Sequence, residues 1–294
     1  MSCETSRGKA TVTQLCEAFG VSRQGYYQAR QQPKEGAVKS ARRERRGSWA
    51  SRADLEAGIR KTVEEHKGWG TRKVWAFLRR AGVCASQRRV WAVMHQLGLV
   101  LPGPERSSDE APHGKVAVPS SNRRWATDGT LVWTEADGWV TVVPVVDCGD
   151  RSALACDVTK SQEARPMLWP VARALQAEFG TPQAVPADME LRSDHGPQYT
   201  GRDCEMLCDE WRILHTFAPV RRPTGNAVVE RFIKTLKVEL VWTRDWASLE
   251  ELREEIAKWI DVYNFSRPHQ ALNWQTPAER RAANLGGCQA RAAA

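Results

Sequence analysis

Three acidic residues stand out by position, the first because its surroundings do not suit an acid. Asp128 sits inside the strand-like stretch "RWATDGTLVWT" (124–134), flanked by Trp125 and Val132. A carboxylate in an apolar strand needs a partner or a metal. Asp194 closes a second strand-like run, "MELRSD" (189–194), just before the chain breaks at Gly196 and Pro197. Glu230 lies in "NAVVERFIKTLKVELVW" (226–242), where Val229, Phe232, Ile233, Leu236 and Leu240 form one apolar stripe of a helix. Glu230, Lys234 and Lys237 share the adjacent face of that helix. Carboxylates that converge repel one another unless a cation neutralises them, and hard oxygen ligands suit Mg2+ or Mn2+. Two such ions about 3.5–4 Å apart activate a water or hydroxyl and stabilise the leaving oxygen in phosphodiester chemistry.

Each residue also has a plainer reading. Asp128–Gly129 is a common turn pair, Asp194 can lead into the His-Gly-Pro turn, and Glu230 with Lys234 can be a surface ion pair. His195 and His269 are balanced between assisting the chemistry, touching DNA and bracing the backbone. Most of the 13 tryptophans are expected to pack the core, with Trp125 the candidate for a contact to DNA bases.

The elements that must position these acids run from residue 123 onwards. The stretches 124–134, 139–147 and 151–159 read as three strands of a meander, with Pro144 marking an edge or a bulge. A helix follows over about 163–179, then the strand 189–194, a helix over 201–211 and a strand over 212–219. The helices 226–242 and 248–264 complete the pattern. Three antiparallel strands followed by alternating helices and strands give a mixed α/β sheet covered by helices.

The 294 residues suffice for a main domain and a smaller one, and 41% hydrophobic with 27% charged residues is ordinary for a globular protein. The longest apolar run, "WVTVVPVV" (139–146), is too short to span a bilayer, and the first residues lack the apolar core of a signal peptide, so a cytoplasmic protein is expected. The eight cysteines include no CxxC pair. Cys204 and Cys208 lie one helical turn apart and read as the buried face of a helix in preference to a metal site. Residues 1–110 carry 21 Lys/Arg against 11 Asp/Glu, whereas residues 111–294 carry 22 against 24. A basic front half on a near-neutral back half points to a polyanion-binding module joined to something else.

That front half reads as two helix–turn–helix units. In "TVTQLCEAFGVSRQGYYQAR" (11–30), Leu15, Ala18 and Phe19 make an apolar face, and Gly20 supplies the turn. Ser22 caps a second helix bearing Arg23, Gln24, Tyr26 and Tyr27. The second unit spans about 53–99, with breaks at 68–70 and Gly82, a cap at Ser86, and Val74, Phe77 and Leu78 at core spacing. Arg72, Lys73, Arg79, Arg80, Arg88 and Arg89 stud it, as DNA binding through helix starts would require. The expected division is 1–50 (helix–turn–helix and basic linker), 51–101 (second helical DNA-binding unit), 102–122 (linker), 123–245 (catalytic core) and 246–294 (C-terminal helix and tail).

Four segments in order carry a family resemblance: "WATDGT", "SDHGPQYT", "GNAVVERFIKTLK" and "YNFSRPHQALNWQTPAE" (263–279), with 35 residues between Asp194 and Glu230. Together they resemble the catalytic, second-reading-frame transposases of bacterial insertion sequences of the integrase-like group, related to retroviral integrases. Two details depart from the group's pattern: only Asn226–Ala227 remains of a usual Asp-Asn-Ala run, and His195 stands where arginine is frequent. The resemblance implies an α/β fold, an RNase-H-like mixed sheet flanked by helices and preceded by an all-α helix–turn–helix region. It implies a DDE triad of Asp128, Asp194 and Glu230 holding Mg2+ or Mn2+, two ions in all, with Lys237 and Lys234 touching DNA nearby. The implied partners are double-stranded element ends and target DNA, further copies of the chain on that DNA, and an upstream-frame protein, in a bacterial nucleoid setting without a membrane. The implied reaction is Mg2+-dependent cleavage at element ends followed by 3′-hydroxyl attack on another phosphodiester. Two rival readings are a DNA-binding regulator with a silent core and a nuclease of the same fold that hydrolyses without strand transfer.

Overall fold

The computed structural model describes residues 4–5, 8–9, 12–22, 50–102, 118–218 and 225–292. The chain divides into two compact units, Met1–Ser48 and Trp49–Ala294. In the first, strands β1 (Glu4–Thr5) and β2 (Gly8–Lys9) pair antiparallel, and helix α1 (Val12–Ala18) follows. Gly20 supplies the expected turn at φ +61°, closed by Val21 N donating to Cys16 O at 3.0 Å. Phe19 does not join an apolar helix face: α1 stops at Ala18, so Phe19 falls in the turn and is 76% exposed. Arg23, Gln24, Tyr26, Tyr27 and the basic linker lie outside the described residues.

The second unit begins with three helices, α2 (Arg52–Glu65), α3 (Thr71–Arg80) and α4 (Gln87–Gln96). Ser51 and Ser86 cap α2 and α4, their hydroxyls accepting from Asp54 N at 3.1 Å and Arg89 N at 3.2 Å. Leu55, Ile59, Val74, Leu78, Val90 and Met94 pack into one small core, closed by Trp69 from the 68–70 break. Phe77 sits at its margin, partly buried and edge-on to Trp69.

From Arg124 the chain builds one mixed sheet. Strands β3 (Arg124–Thr127) and β4 (Thr130–Thr134) both pair antiparallel with β5 (Gly138–Asp147). The registers are continuous: Thr127 faces Val145 and Thr130 faces Val142. β3 and β4 are therefore two halves of one line, interrupted at Asp128–Gly129. So Asp128 is not inside a strand but follows the end of β3, in the interruption rather than in a hairpin turn. Gly129 keeps this spot clear: a Cβ would stand 2.8 Å from the Met167 methyl carbon and 3.2 Å from that of Thr141, so the Met167 side chain would have to shift.

Strand β6 (Ala153–Thr159) pairs with the other edge of β5, which is thus interior. Pro144 therefore marks no edge; the ladder irregularity falls just after it, between Val145 and Val146. Strand β7 (Glu190–Ser193) runs parallel to β3, and β8 (Leu214–Phe217) runs parallel to β7. Helices α5 (Ala164–Phe179), α6 (Pro197–Thr200) and α7 (Arg202–Trp211) cover one face, and α8 (Ala227–Glu239) and α9 (Leu249–Asp261) the other. Buried on both faces, β5 needs the near-continuous apolar run it carries.

After a π-helical turn at Val262–Ser266, helix α10 (Pro277–Ala292) closes the chain. The "YNFSRPH" stretch is a clasp. Asn264 accepts from Ala153 N at 3.0 Å and donates to Ala153 O at 2.9 Å. On α10, Arg281 reaches Asp147 at 3.1 Å, Asp150 at 2.7 Å and Glu178 at 2.5 Å, and donates to Asn122 at 2.9 Å. Asp147 and Asp150 are fully buried; burial, and then the neighbouring Asp150 charge, pushes Asp147 upwards. Residues 118–122 thus enter the core, with Ser121 and Asn122 buried. Among the described residues no helix is long and apolar enough to cross a membrane.

Removing a partner from a buried ion network leaves uncompensated charge, at a cost of about 3–5 kcal/mol. Arg281→Met should lower stability by about that amount in urea unfolding at neutral pH. The deficit should shrink on mild acidification, as Asp147 takes up a proton.

Candidate active site

Two of the three acids are aligned by the sheet itself. β3 and β7 pair in parallel with Ala126 opposite Arg192. Extending that register by two residues places Asp128 opposite Asp194, each following the carboxyl end of its strand, where open α/β sheets hold their ligands. Asp128 accepts from Gly129 N at 2.8 Å and Asp194 from Gly196 N at 3.0 Å. The latter is the Asx turn that a Ser-Asp-His-Gly sequence favours.

Glu230 arrives from the other side of the sheet, in the first turn of α8. The start of that helix is tied to β3: buried Asn226 donates from Nδ2 to Thr127 O at 3.2 Å. Asn226 Oδ1 has no hydrogen-bond partner among the described residues.

The charges of Asp194 and Glu230 are both felt at Asp128. Burial raises the Asp128 carboxyl to about 6, and the charges of Asp194 and Glu230 push in the same direction against the Gly129 hydrogen bond and Lys237. Glu230 is also raised, by partial burial. The donor set is three carboxylates, all hard oxygen, with mutual repulsion that a divalent cation would relieve; it fits Mg2+ or Mn2+ and not a soft metal.

The remaining expected residues divide. Lys237 faces the acids, acting on Asp128, and Lys234 is exposed on the same helix. Arg72 and Arg88 are exposed and Arg89 is half-buried, the last two in the first turn of α4. Arg23 lies outside the described residues. Lys73 is not free to meet DNA: its ammonium is held by Glu239 at 2.5 Å. Arg267 holds the same carboxylate at 2.9 Å and Trp69 Nε1 donates to it at 3.2 Å. Burial works against the Glu239 charge, but Arg267 and Lys73 keep it below its ordinary range. This cluster bolts the three-helix unit to α8.

Trp125 makes no base contact. It is fully buried, stacked on Phe179 at 5.6 Å, and its Nε1 donates to Asn122. Alternation in β3 turns it towards the core, away from the Asp128 end. His269 is structural: burial and then Arg267 push it down to about 2, and it packs edge-on to Tyr263. His195 is exposed and stacks on Phe217 at 4.8 Å.

Three comparisons bear on what such a site belongs to. The integrase core domain profile matches residues 119–223 and a second integrase core domain profile matches 211–277. An HTH-like domain matches residues 49–106. Transposase InsD for insertion element IS2A/D/F/H/I/K of Escherichia coli is 29% identical over 249 residues, 80% of this chain and 80% of that protein. These matches support an insertion-sequence transposase with an integrase core. Among solved structures, the simian T-cell lymphotropic virus intasome is 16% identical over 76% of this chain and 74% of that one, with TM-score 0.46. The HTLV-2 integrase catalytic core domain in complex with magnesium is 17% identical over 56% and 97%, with TM-score 0.42.

Two residues of this transposase escaped the sequence reading although both lie in segments it singled out. Tyr199, in "SDHGPQYT", is buried beneath the acids, its hydroxyl 3.5 Å from Thr127 Oγ1. Burial, with the charges of Asp128 and Asp194, raises its hydroxyl far above the ordinary range. Asn226, singled out in the sequence only as the remnant of an Asp-Asn-Ala run, makes no capping hydrogen bond and reaches β3 with its side chain.

The raised Asp128 carboxyl carries a stability consequence. Between the unfolded value near 4 and the folded value of about 6, the folded state holds the extra proton, so stability falls as pH rises through that window. Asp128→Asn should therefore stabilise the metal-free transposase by up to about 3 kcal/mol at pH 7. The gain should vanish near pH 4 and narrow when Mn2+ is added. Melts in chelator and in Mn2+ across this range test it; equal stability of both proteins at pH 7 and pH 4 would refute it.

Proposed function

We propose that this transposase cuts DNA at the ends of its insertion sequence and joins the freed 3′ ends to a target. In this reading Asp128, Asp194 and Glu230 are the catalytic metal ligands. The observation that carries it is the alignment of Asp128 and Asp194 on parallel strands, with Glu230 brought to them by a helix tied to β3. Bound Mg2+ or Mn2+, as a pair of ions, would supply the neutralising charge and the activation of the attacking oxygen. The chain's own groups do the rest. Asp128 gives up its proton to become a ligand, and the Gly129 and Gly196 amides fix the two aspartates. Lys237 adds positive charge where a phosphate backbone would lie.

Residues 49–106, with Arg72, Arg88 and Arg89, would grip double-stranded DNA. The proposed division keeps a helical DNA-binding unit (51–101) and a catalytic core (123–245) on either side of the segment 102–122, and assembly of several copies on paired ends.

Asp194→Asn should abolish divalent-metal-dependent cleavage and strand transfer on element-end DNA while leaving DNA binding largely intact. Full activity in that variant would reject the triad. Wild-type protein that binds but never cuts would favour a regulator; cut products without joined ones would favour a simple nuclease. Arg88→Ala or Arg89→Ala should weaken binding across DNA sequences, and each should reduce the slope of log K against log salt by about 1, read by titration at several salt concentrations.

A further inference from the structure

A second cluster of ligating side chains lies on the α7 face of the sheet. Cys204 and Cys208 occupy one face of α7, a turn apart, and are 0% and 4% exposed. His215 comes from β8, opposite Leu191 of β7. The two sulfurs and a histidine ring nitrogen all lie within 4.8 Å of one another. The Cys204 Sγ to His215 Nδ1 separation is 3.8 Å. Tetrahedral Zn2+ with bonds of about 2.3 Å to sulfur and 2.0–2.1 Å to nitrogen spans a ligand edge of roughly 3.6 Å, so the observed spacing is close to a coordination edge.

The hydrogen bonds settle which ring nitrogen is available. Ser193 Oγ has one proton, and it is donated to Asp194 O at 2.9 Å. The contact between Ser193 Oγ and His215 Nε2, also 2.9 Å, must then be donated by Nε2–H. A neutral imidazole protonated at Nε2 has its lone pair at Nδ1, the atom facing Cys204. A ring nitrogen aimed at thiols, with its other N–H anchored on a hydroxyl, is how proteins orient a metal-ligating histidine.

We propose that Cys204, Cys208 and His215 form a site for a soft divalent cation of the Zn2+ type, separate from the three carboxylates. Thiolate and imidazole select such an ion, as the hard oxygen set selects Mg2+ or Mn2+. On binding, Cys208 and any protonated Cys204 release their thiol protons to solvent and both sulfurs take the ion, with His215 ligating through Nδ1. Three protein ligands leave the fourth tetrahedral position to a water. The ion would cross-link α7 to β8, and Ser193 would connect it to the backbone carbonyl of Asp194. Its role is therefore to brace the strand end that carries a catalytic acid.

The test uses the full chain carrying Asp128→Asn, Asp194→Asn and Glu230→Gln, which removes the carboxylate site. After loading with Zn2+ and dialysis into metal-free buffer, elemental analysis should find about one zinc per chain. Co2+ loading should give a thiolate-to-cobalt charge-transfer band. Adding Cys204→Ser and Cys208→Ser should remove both the retained metal and the band while far-UV circular dichroism stays native. If those variants do not fold, titrating Zn2+ into the folded triple variant at constant pH should release protons as the ion binds, at least the one held by Cys208. No retained zinc in the triple variant, an undiminished cobalt band in the cysteine variants, or binding without proton release would each overturn the proposal.

Discussion

The constraint on which the rest of the structure depends is the parallel pairing of β3 with β7. Parallel strands in register bring like ends together, so two acids that each follow a strand end are forced side by side. Neither strand has a choice about this: β3 is held from its other edge by β5, and β7 by β8. Glu230 then adds a third carboxylate from above. Burial and repulsion leave Asp128 with a carboxyl that resists ionisation. The fold accepts this unfavourable electrostatic arrangement because the apolar cores on both faces of the sheet hold it together.

The other charged clusters answer the same problem with protein groups. Glu239 is surrounded by Lys73, Arg267 and Trp69, and the Asp147–Asp150 pair by Arg281, Ser121 and backbone amides. In each, a buried acid is balanced by cations and donors from distant parts of the chain. At Asp128, Lys237 only partly offsets the charges of Asp194 and Glu230. The tail motif thus serves architecture: Asn264, Arg267 and Arg281 fasten the end of the chain to the sheet and to α8.

Much of this was legible in the chain itself. Strand periods, helix stripes and the cap at Ser86 are local, and local signals survive without a fold. Asp128 stood out because an acid in an apolar stretch broke its pattern, whereas Asp194 and Glu230 stood out only by the spacing and motifs around them. Two readings failed because they depend on neighbours far along the chain, and a third because its helix ended early. Trp125 and Phe19 exchanged expected roles, one buried by the sheet and the other left outside a helix that ended early. Lys73, basic on a helix start, met an acid 166 residues away.

The sequence by itself determined most of the elements and the integrase-core resemblance, because residue type and spacing are properties of the chain. Only the tertiary structure decided which charges meet. It put Asp128 in the interruption of a strand, bound Lys73 to Glu239, and turned Trp125 inwards. It also set His215 against Cys204 and Cys208, a grouping that spacing along α7 alone could not reveal because the third donor comes from a neighbouring strand. Burial and pairing are set by strand register and helix packing, and these exist only once the chain has folded.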